Sequence, residues 1–432
     1  MTKILILGGG YGGLKCAITL QKHFAKLRQK AQIVLISKHD YHYQSTLLHK
    51  VAIGTYSARK ARIYFRKILN SRKIHFIKDT IKSIERDKVI GKYDEYSFDY
   101  LVIALGFKSN SFGIKGVSEF AFRLHSANSA LKIRAQIEKN FKDFKLKNDV
   151  NDLRFNICGS GFTGVEFAAE LANQSKELAD ICGISRDLVQ INLISKAPKV
   201  LPMFSDKLRD IAESKLKKLG INLIVGEVIE VKKDGVLIKR GESSVDSSVD
   251  SDESNEKLLE SGVDLAKSNA DSRESIAKIS ANTTIWCAGV KGNEVIGVSA
   301  FESHNNRIKV NEFLRLPSNE RVFVIGDCAL ATERDIIHAP TAQLANQMGE
   351  FVALCLIALL RGEKLKTPFR FNHRGTVCSI GHTDGVGFVF GISVWGEMAA
   401  FFKNIIENKW ILSIGGLKNV LKKGQFRFRS SS

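Results

Sequence analysis

Two glycine runs carry the clearest chemical signal in this 432-residue chain. Lys3-Ile-Leu-Ile-Leu-Gly8-Gly-Gly10-Tyr11-Gly12-Gly13-Leu14 opens it, and Arg154-Phe-Asn-Ile-Cys-Gly159-Ser-Gly161-Phe-Thr-Gly164-Val-Glu166 restates the pattern roughly 150 residues later. In Gly-x-Gly-x-x-Gly the first glycine permits a tight turn and the second lets the backbone approach a pyrophosphate. The third lets a helix pack closely on a strand, and the helix N-terminus offers free N–H groups to the anion. Three further apolar runs end in small or acidic residues: Tyr100 to Ala104 and Gly106, Thr284 to Gly289, and Arg321 to Gly326-Asp327. At the end of the last, the Asp327 carboxylate can bind a ribityl hydroxyl of a flavin.

These residues need a scaffold that occurs twice. Each glycine run is preceded by an apolar strand and followed by a helical period. A second strand then ends in a polar residue, Ile33 to Ile36 before Ser37 and Ile191 to Ile194 before Ser195. The unit is β-α-β, and the fold class is α/β with two Rossmann-like dinucleotide-binding domains. We place the first domain at residues 1–112 and again at 301–370, the second at 113–300, and a C-terminal region at 371–432. Residues 242–278 hold ten serines, ten acids and four bases without an apolar period, so they read as a disordered insertion on a hairpin of the second domain.

Composition narrows the partners. With 65 Lys+Arg against 45 Asp+Glu the net charge is +20, an excess that fits phosphorylated cofactors and an anionic membrane surface. The bases form no nucleic-acid recognition motif, so no nucleic-acid partner is expected. Seven cysteines are scattered singly, which fits a reduced compartment, and without clustered Cys/His ligands no metal site is expected. The longest apolar run, Phe351 to Leu360, reaches about 15 Å as a helix, half a bilayer core, so no crossing is expected. Trp395, Met398, Ala399, Phe402, Ile405 and Ile406 fall on one helix face. From Lys403 onward seven bases and one acid interleave with Trp410, Ile411, Leu412, Ile414, Leu417, Val420, Leu421, Phe426 and Phe428. This predicts an amphipathic segment in a membrane interface, the competing reading being a helix packed on the core or at a homodimer interface.

The layout resembles the two-dinucleotide-binding-domain flavoproteins, and within them the type II NADH:quinone oxidoreductases. The resemblance rests on Asp40-Tyr-His-Tyr-Gln-Ser-Thr46-Leu-Leu-His49, on Ala342-Gln343-Leu-Ala-Asn-Gln347, on Arg374-Gly-Thr-Val-Cys-Ser-Ile-Gly381 and on Ile414-Gly-Gly-Leu417. It covers nearly the whole chain outside the insertion. It implies FAD on the first unit, NADH on the second and a membrane quinone as acceptor, with the protein peripheral on the cytoplasmic face of the inner (plasma) membrane. The Cys-x-x-x-x-Cys pair of related disulfide reductases is missing, which favours a diffusible acceptor.

By that resemblance Gly8, Gly10, Tyr11, Gly12, Gly13 and Leu14 cradle the FAD pyrophosphate. Ser37 and Lys38 lie by its adenosine ribose, Thr46 and Ile81 flank the flavin, and Ala104, Gly106, Gly326 and Asp327 complete the site. Gly159, Gly161, Gly164 and Gly289 receive NADH, and Glu166 meets its nicotinamide end. Gln343 and Gln347 present amides to the quinone, and Arg374 supports negative charge on the reduced flavin or quinone. Ser195 stands where an acid normally binds the NADH ribose, with Lys196 and Lys199 beside it, so NADPH is an alternative donor. The alternatives are a soluble NAD(P)H-dependent reductase with a non-quinone acceptor and a non-enzymatic flavin-bound redox sensor.

Overall fold

The computed structural model describes residues 1–26, 31–240, 263–265, 275–333 and 336–426. Ile4 to Leu7 are all solvent-free, and so short an apolar run forms a strand buried on both faces. That strand, β1 (Thr2–Leu7), pairs in parallel with β2 (Ala31–Ser37), and β2 pairs in turn with β3 (Ile74–Lys78). On its other side β1 pairs with Tyr100–Ile103, next to which lies Asn319–Val324. Residues from both ends of the chain thus share one six-stranded sheet. Helix α1 (Tyr11–Lys22) follows β1, and a short helix, α2 (Leu48–Ile53), lies further on.

A second sheet repeats the plan. Strand β4 (Arg154–Cys158) lies between β5 (Gln190–Ser195) and Thr283–Trp286, and helix α3 (Phe162–Cys182) follows it. In both sheets the strand carrying the glycines sits where the strand order reverses, so its C-terminal end opens a crevice.

The insertion expected at 242–278 is corrected at its edges. Ser275–Ser280 is a strand antiparallel to Gly235–Arg240, and Val263–Leu265 pairs with it. The alternate residues Ala277 and Ile279 are buried and Ile276 between Ser275 and Ala277 is exposed, a two-residue period that the serine-rich composition masks. The rest of that segment lies outside the described residues.

Helix α4 (Ala342–Leu360) packs on α1, and its Gly349 is forced by the crossing, since a Cβ there would stand 2.2 Å from the Gly12 carbonyl oxygen. It is nine residues longer than the apolar run read from the sequence, and is long and apolar enough to cross a membrane, yet Leu344, Met348, Val352 and Leu356 belong to the core. Strand β6 (Gly375–Ser379) opens a three-stranded antiparallel sheet. Against this sheet lies α5 (Glu397–Lys423), broken at Gly416, whose φ of 68° is non-helical.

Helix α5 leaves Met398, Ile405 and Ile406 outward, as an interfacial face requires, and buries a second apolar set. Trp410, Ile411, Ile414 and Val420 are buried in the core, and so are the polar Asn404 and Glu407. Met398, Phe401, Ile405, Ile406, Leu412, Leu417 and Leu421 are exposed, the last at 70%. The helix turns a polar-bearing face inward and an aliphatic face outward. Apolar periodicity alone assigned its sides without regard to which charged residues find partners inside. Phe428 lies outside the described residues.

Candidate functional site

The two glycine turns have the same backbone construction. Gly8 (φ 103°) and Gly159 (φ 112°) occupy the left-handed side of φ, where a Cβ would stand 2.2 Å from the Ala104 carbonyl oxygen and 2.8 Å from the Ala288 nitrogen. Gly13 and Gly164 lie so close to the preceding turn that a Cβ would come within 2.0 Å and 1.8 Å of the Gly8 and Gly159 oxygens. Gly10 and Gly161 cap α1 and α3 with no side chain bonded to the helix end, and a Cβ on either would meet nothing within 4 Å. Each turn therefore leaves open space above three N–H groups without intrahelical acceptors: those of Tyr11, Gly12 and Gly13, and those of Phe162, Thr163 and Gly164. Such space above a helix N-terminus fits a pyrophosphate. Leu14 is corrected out of the cradle, because its side chain is in the core and its N–H already bonds the Gly10 oxygen at 3.0 Å.

Around the first turn, Gly106 and Gly326 both have positive φ at strand ends, and Ala104 is buried between them and Gly8. Among the described residues no donor reaches the Asp327 carboxylate, and burial pushes it up to about 6 against the opposing charge of Arg307. An unsatisfied carboxylate at that point suits a polyol hydroxyl. Ser37 and Lys38 end β2, and partial burial together with Lys108 lowers the Lys38 ammonium. Ile81 follows β3, whose Lys78 pairs with Ser37, and Asp79 N–H bonds the Ser37 oxygen at 3.2 Å, so Ile81 lies near the end of β2. Thr46 stands apart from it, its hydroxyl 3.1 Å from that of Tyr11.

The C-terminal helix closes this site. Trp410 Nε1 donates to His42 Nε2 at 3.0 Å, and His42 Nδ1 lies 3.1 Å from the Gly9 oxygen. Because indole only donates, Nε2 must accept and Nδ1 carries the proton to Gly9. Burial holds His42 at about 4, so the ring is neutral as this bonding requires. Tyr11 is wedged between the two rings, with centroids 4.9 Å from each.

At the second turn α3 presents Glu166, which is 6% exposed. Its Oε1 accepts from Lys403 Nζ at 2.8 Å and from the N–H and hydroxyl of Ser379 at 3.1 Å, and its Oε2 is 3.5 Å from His49 Nδ1. Burial alone would raise this carboxyl, but Lys403 and the hydrogen bonds outweigh it and hold it below its usual value. Lys403 is pushed well up by the same pairing in spite of its own burial. One turn along α3, Glu170 accepts from the Thr55 hydroxyl and lies 3.3 Å from His382, and it is held at about 2 although burial opposes this. His49, lowered to about 4 by burial, is neutral between the two carboxylates.

Comparison with known proteins decides the family. Residues 2–349 match the family model described as pyridine nucleotide-disulphide oxidoreductase. Type II NADH:quinone oxidoreductases of Staphylococcus saprophyticus and Staphylococcus aureus are 34% and 35% identical to the chain, each match covering 98% of both proteins. The chain belongs to this family. Its fold is shared with the solved NDH2 of Plasmodium falciparum in complex with NADH, at TM-score 0.78 and 20% identity over 98% of this chain and 97% of that one. It is also shared with the sulfide:quinone oxidoreductase of Aquifex aeolicus, at 0.73 and 19% over 96% and 92%. As a type II oxidoreductase the chain is an FAD-dependent enzyme that uses NADH.

The structure places the remaining expected site residues as follows. The Gln343 and Gln347 amides are engaged at both ends by backbone: Gln343 by Arg374 N–H and the Gly375 oxygen, Gln347 by the N–H and oxygen of Asn372, all at 2.8 to 3.1 Å. They tether the strand that leads to Ser379. Arg374 is exposed, and Lys403 is the cation that meets Glu166. Ser195 Oγ is 2.6 Å from Ser160 Oγ, while Lys196 and Lys199 pair with Glu227 at 2.9 Å and Asp210 at 2.6 Å. Gly289 has a positive φ of 69°, next to the strand Thr283–Trp286.

The reading from sequence missed Lys403, His42 and Trp410 as site residues. One signal for them existed: Lys403 and Glu407, four apart, sit among apolar neighbours on one turn of helix, where charges are retained only when paired or used.

Proposed function

We propose that this enzyme passes two electrons from NADH to a membrane quinone, with FAD held at the first glycine turn and NADH exchanging at the second. FAD supplies the chemistry that accepts a hydride from nicotinamide and passes its electrons on. The protein's own part is orientation, electrostatics and exclusion of water. Gly10 to Gly13 bind one pyrophosphate and Gly161 to Gly164 the other. Asp327 fixes the ribityl chain, and Glu166, kept charged by Lys403, orients the nicotinamide end.

The observation that carries this reading is helix α5. One element touches the second site through Lys403 and the first through Trp410 and His42, and its outer face is aliphatic. We infer that this face, with Trp395, Ile392 and Phe390 exposed beside it, lies in the bilayer interface where a quinone enters. Lys409, Lys418 and Lys422 meet anionic headgroups on the cytoplasmic side. NADH is the donor in this reading, since Lys196 and Lys199 are already paired with acids.

The test is an anaerobic spectrum. NADH should bleach the flavin and a quinone should restore it; a flavin that NADH leaves oxidised would end the reading. Membrane attachment needs point changes, because Trp410 and Lys403 make removal of the helix destructive. Leu417→Glu with Leu421→Glu should move the protein to the soluble fraction, each lost apolar contact weakening attachment by about 1.5–3 kcal/mol. Unchanged sedimentation with membranes would exclude this face as the anchor.

A further inference from the structure

The mechanism above leaves one buried acid unused. Glu407 lies one turn beyond Lys403 and three residues before Trp410, so it sits between the contact to Glu166 and the contact to the first glycine turn. It is 5% exposed, and neither carboxylate oxygen has a hydrogen-bond partner among the described residues. A buried carboxylate left without donors is costly, and the group persists in such a place as a neutral acid or in the service of a ligand.

Its surroundings hold its charge only weakly. Lys50 of α2 and Lys403 of α5 favour the anion, but Lys403 already serves Glu166, and Lys50 Nζ donates to Gln425 Oε1 at 2.6 Å. Glu166 and Glu170 of α3 add negative charge, and the remaining facing groups, Tyr11 of α1 and Tyr56, are neutral phenols. Burial first, and these carboxylates with it, outweigh the two lysines and push Glu407 up to about 7.

A quinone reduced between the two turns would need a proton there. Conversion to hydroquinone takes two electrons and two protons. The hydride of NADH accounts for both electrons and one proton, so the other comes from the medium. We propose that Glu407 holds that proton and hands it to the quinone: its O–H bond breaks as an O–H bond forms on a quinone oxygen, and the carboxylate is reprotonated from solvent. An acid that titrates near the working pH is the most effective donor, whereas Glu166 and Glu170 are held too low and Lys403 too high. This inference rests on the quinone reading above.

The experiment compares wild-type holoenzyme with Glu407→Gln, a neutral isostere, using a water-soluble short-chain benzoquinone and ferricyanide, which takes electrons without protons. In the variant, kcat with the quinone should fall on the order of a hundredfold. The fall in wild-type rate as pH rises through neutrality should disappear, because only the glutamic acid loses its proton there. Ferricyanide reduction, flavin bleaching by NADH, FAD content and thermal midpoint should match wild type. In infrared spectra the wild type should show a protonated-carboxyl band that vanishes as pH rises through neutrality and is missing from the variant. Glu407→Asp, which keeps the acid on a shorter stem, should recover part of the quinone rate. A wild-type quinone rate and pH profile in Glu407→Gln would overturn the inference alone, and so would a proportional loss with ferricyanide, which would mark a structural role. A wild-type enzyme that reduced ferricyanide and no quinone would overturn the functional reading and this inference with it.

Discussion

The first glycine turn is more covered than the second, although the two share one backbone construction. After Gly10 comes Tyr11, half-buried against His42 and Trp410, and Gly12 is buried under α4, whereas Thr163 at the matching place is exposed. After Gly161 comes Phe162, half-buried against Phe204, and the fifth residue of that helix is Glu166, where the first helix has Lys15. Lys15 faces outward to Glu350 at 3.3 Å, whereas Glu166 is drawn into a cluster from α2, β6 and α5. The difference fits the proposed division of labour, in which one turn retains its nucleotide and the other admits and releases it beside a charged group that can orient it.

Substitutions at matched positions break this comparison most strongly. Gly13→Ala and Gly164→Ala each drive a methyl group into a carbonyl oxygen, but with different expected outcomes. The first should give protein without FAD and with poor yield. The second should keep FAD and lose NADH-driven bleaching, and equal effects of the two on FAD content would show that the turns are not specialised. Next in size, Lys403→Met leaves the Glu166 charge buried without its cation, at a cost of about 3–5 kcal/mol. Urea unfolding measures it, with a simultaneous rise in KM for NADH expected.

A smaller effect sharpens the role of this cover. Trp410→Phe removes the donor to His42 Nε2, which should lower stability by about 1–3 kcal/mol and speed FAD dissociation while leaving KM for NADH unchanged. If KM moves and FAD release does not, the helix acts on the second turn only. The smallest change expected is Ser195→Glu, which should raise the preference for NADH over NADPH. Equal kcat/KM ratios before and after would show that the end of β5 does not read the ribose.

How far the sequence alone reached is clear from these same residues. Both turns were legible because their constraints are local: glycine spacing, an apolar strand before and a helix after lie within about a dozen residues. The cluster at Glu166 was not, since Lys403 is 237 positions away, and His42 and Trp410 are 368 apart. Such pairs are created by sheet order and helix docking, which no local period encodes. Gln343 and Gln347 were found as a helix-face pair, yet what that face meets, the backbone of residues 372–375, depends on a strand packed later in the chain. In α5 the outward apolar stripe was seen, with Met398, Ile405 and Ile406 exposed, but the buried face was not, because burying Lys403, Asn404 and Glu407 is favourable only with partners or a task that the sequence does not display.

The division of labour between the two turns is tested most directly by one measurement: Gly164→Ala enzyme, purified with FAD bound, mixed anaerobically with NADH while the flavin absorbance is followed. The flavin should stay oxidised with NADH, be bleached by dithionite, and return on addition of quinone. Bleaching by NADH at the wild-type rate would contradict the assignment of hydride entry to the second turn.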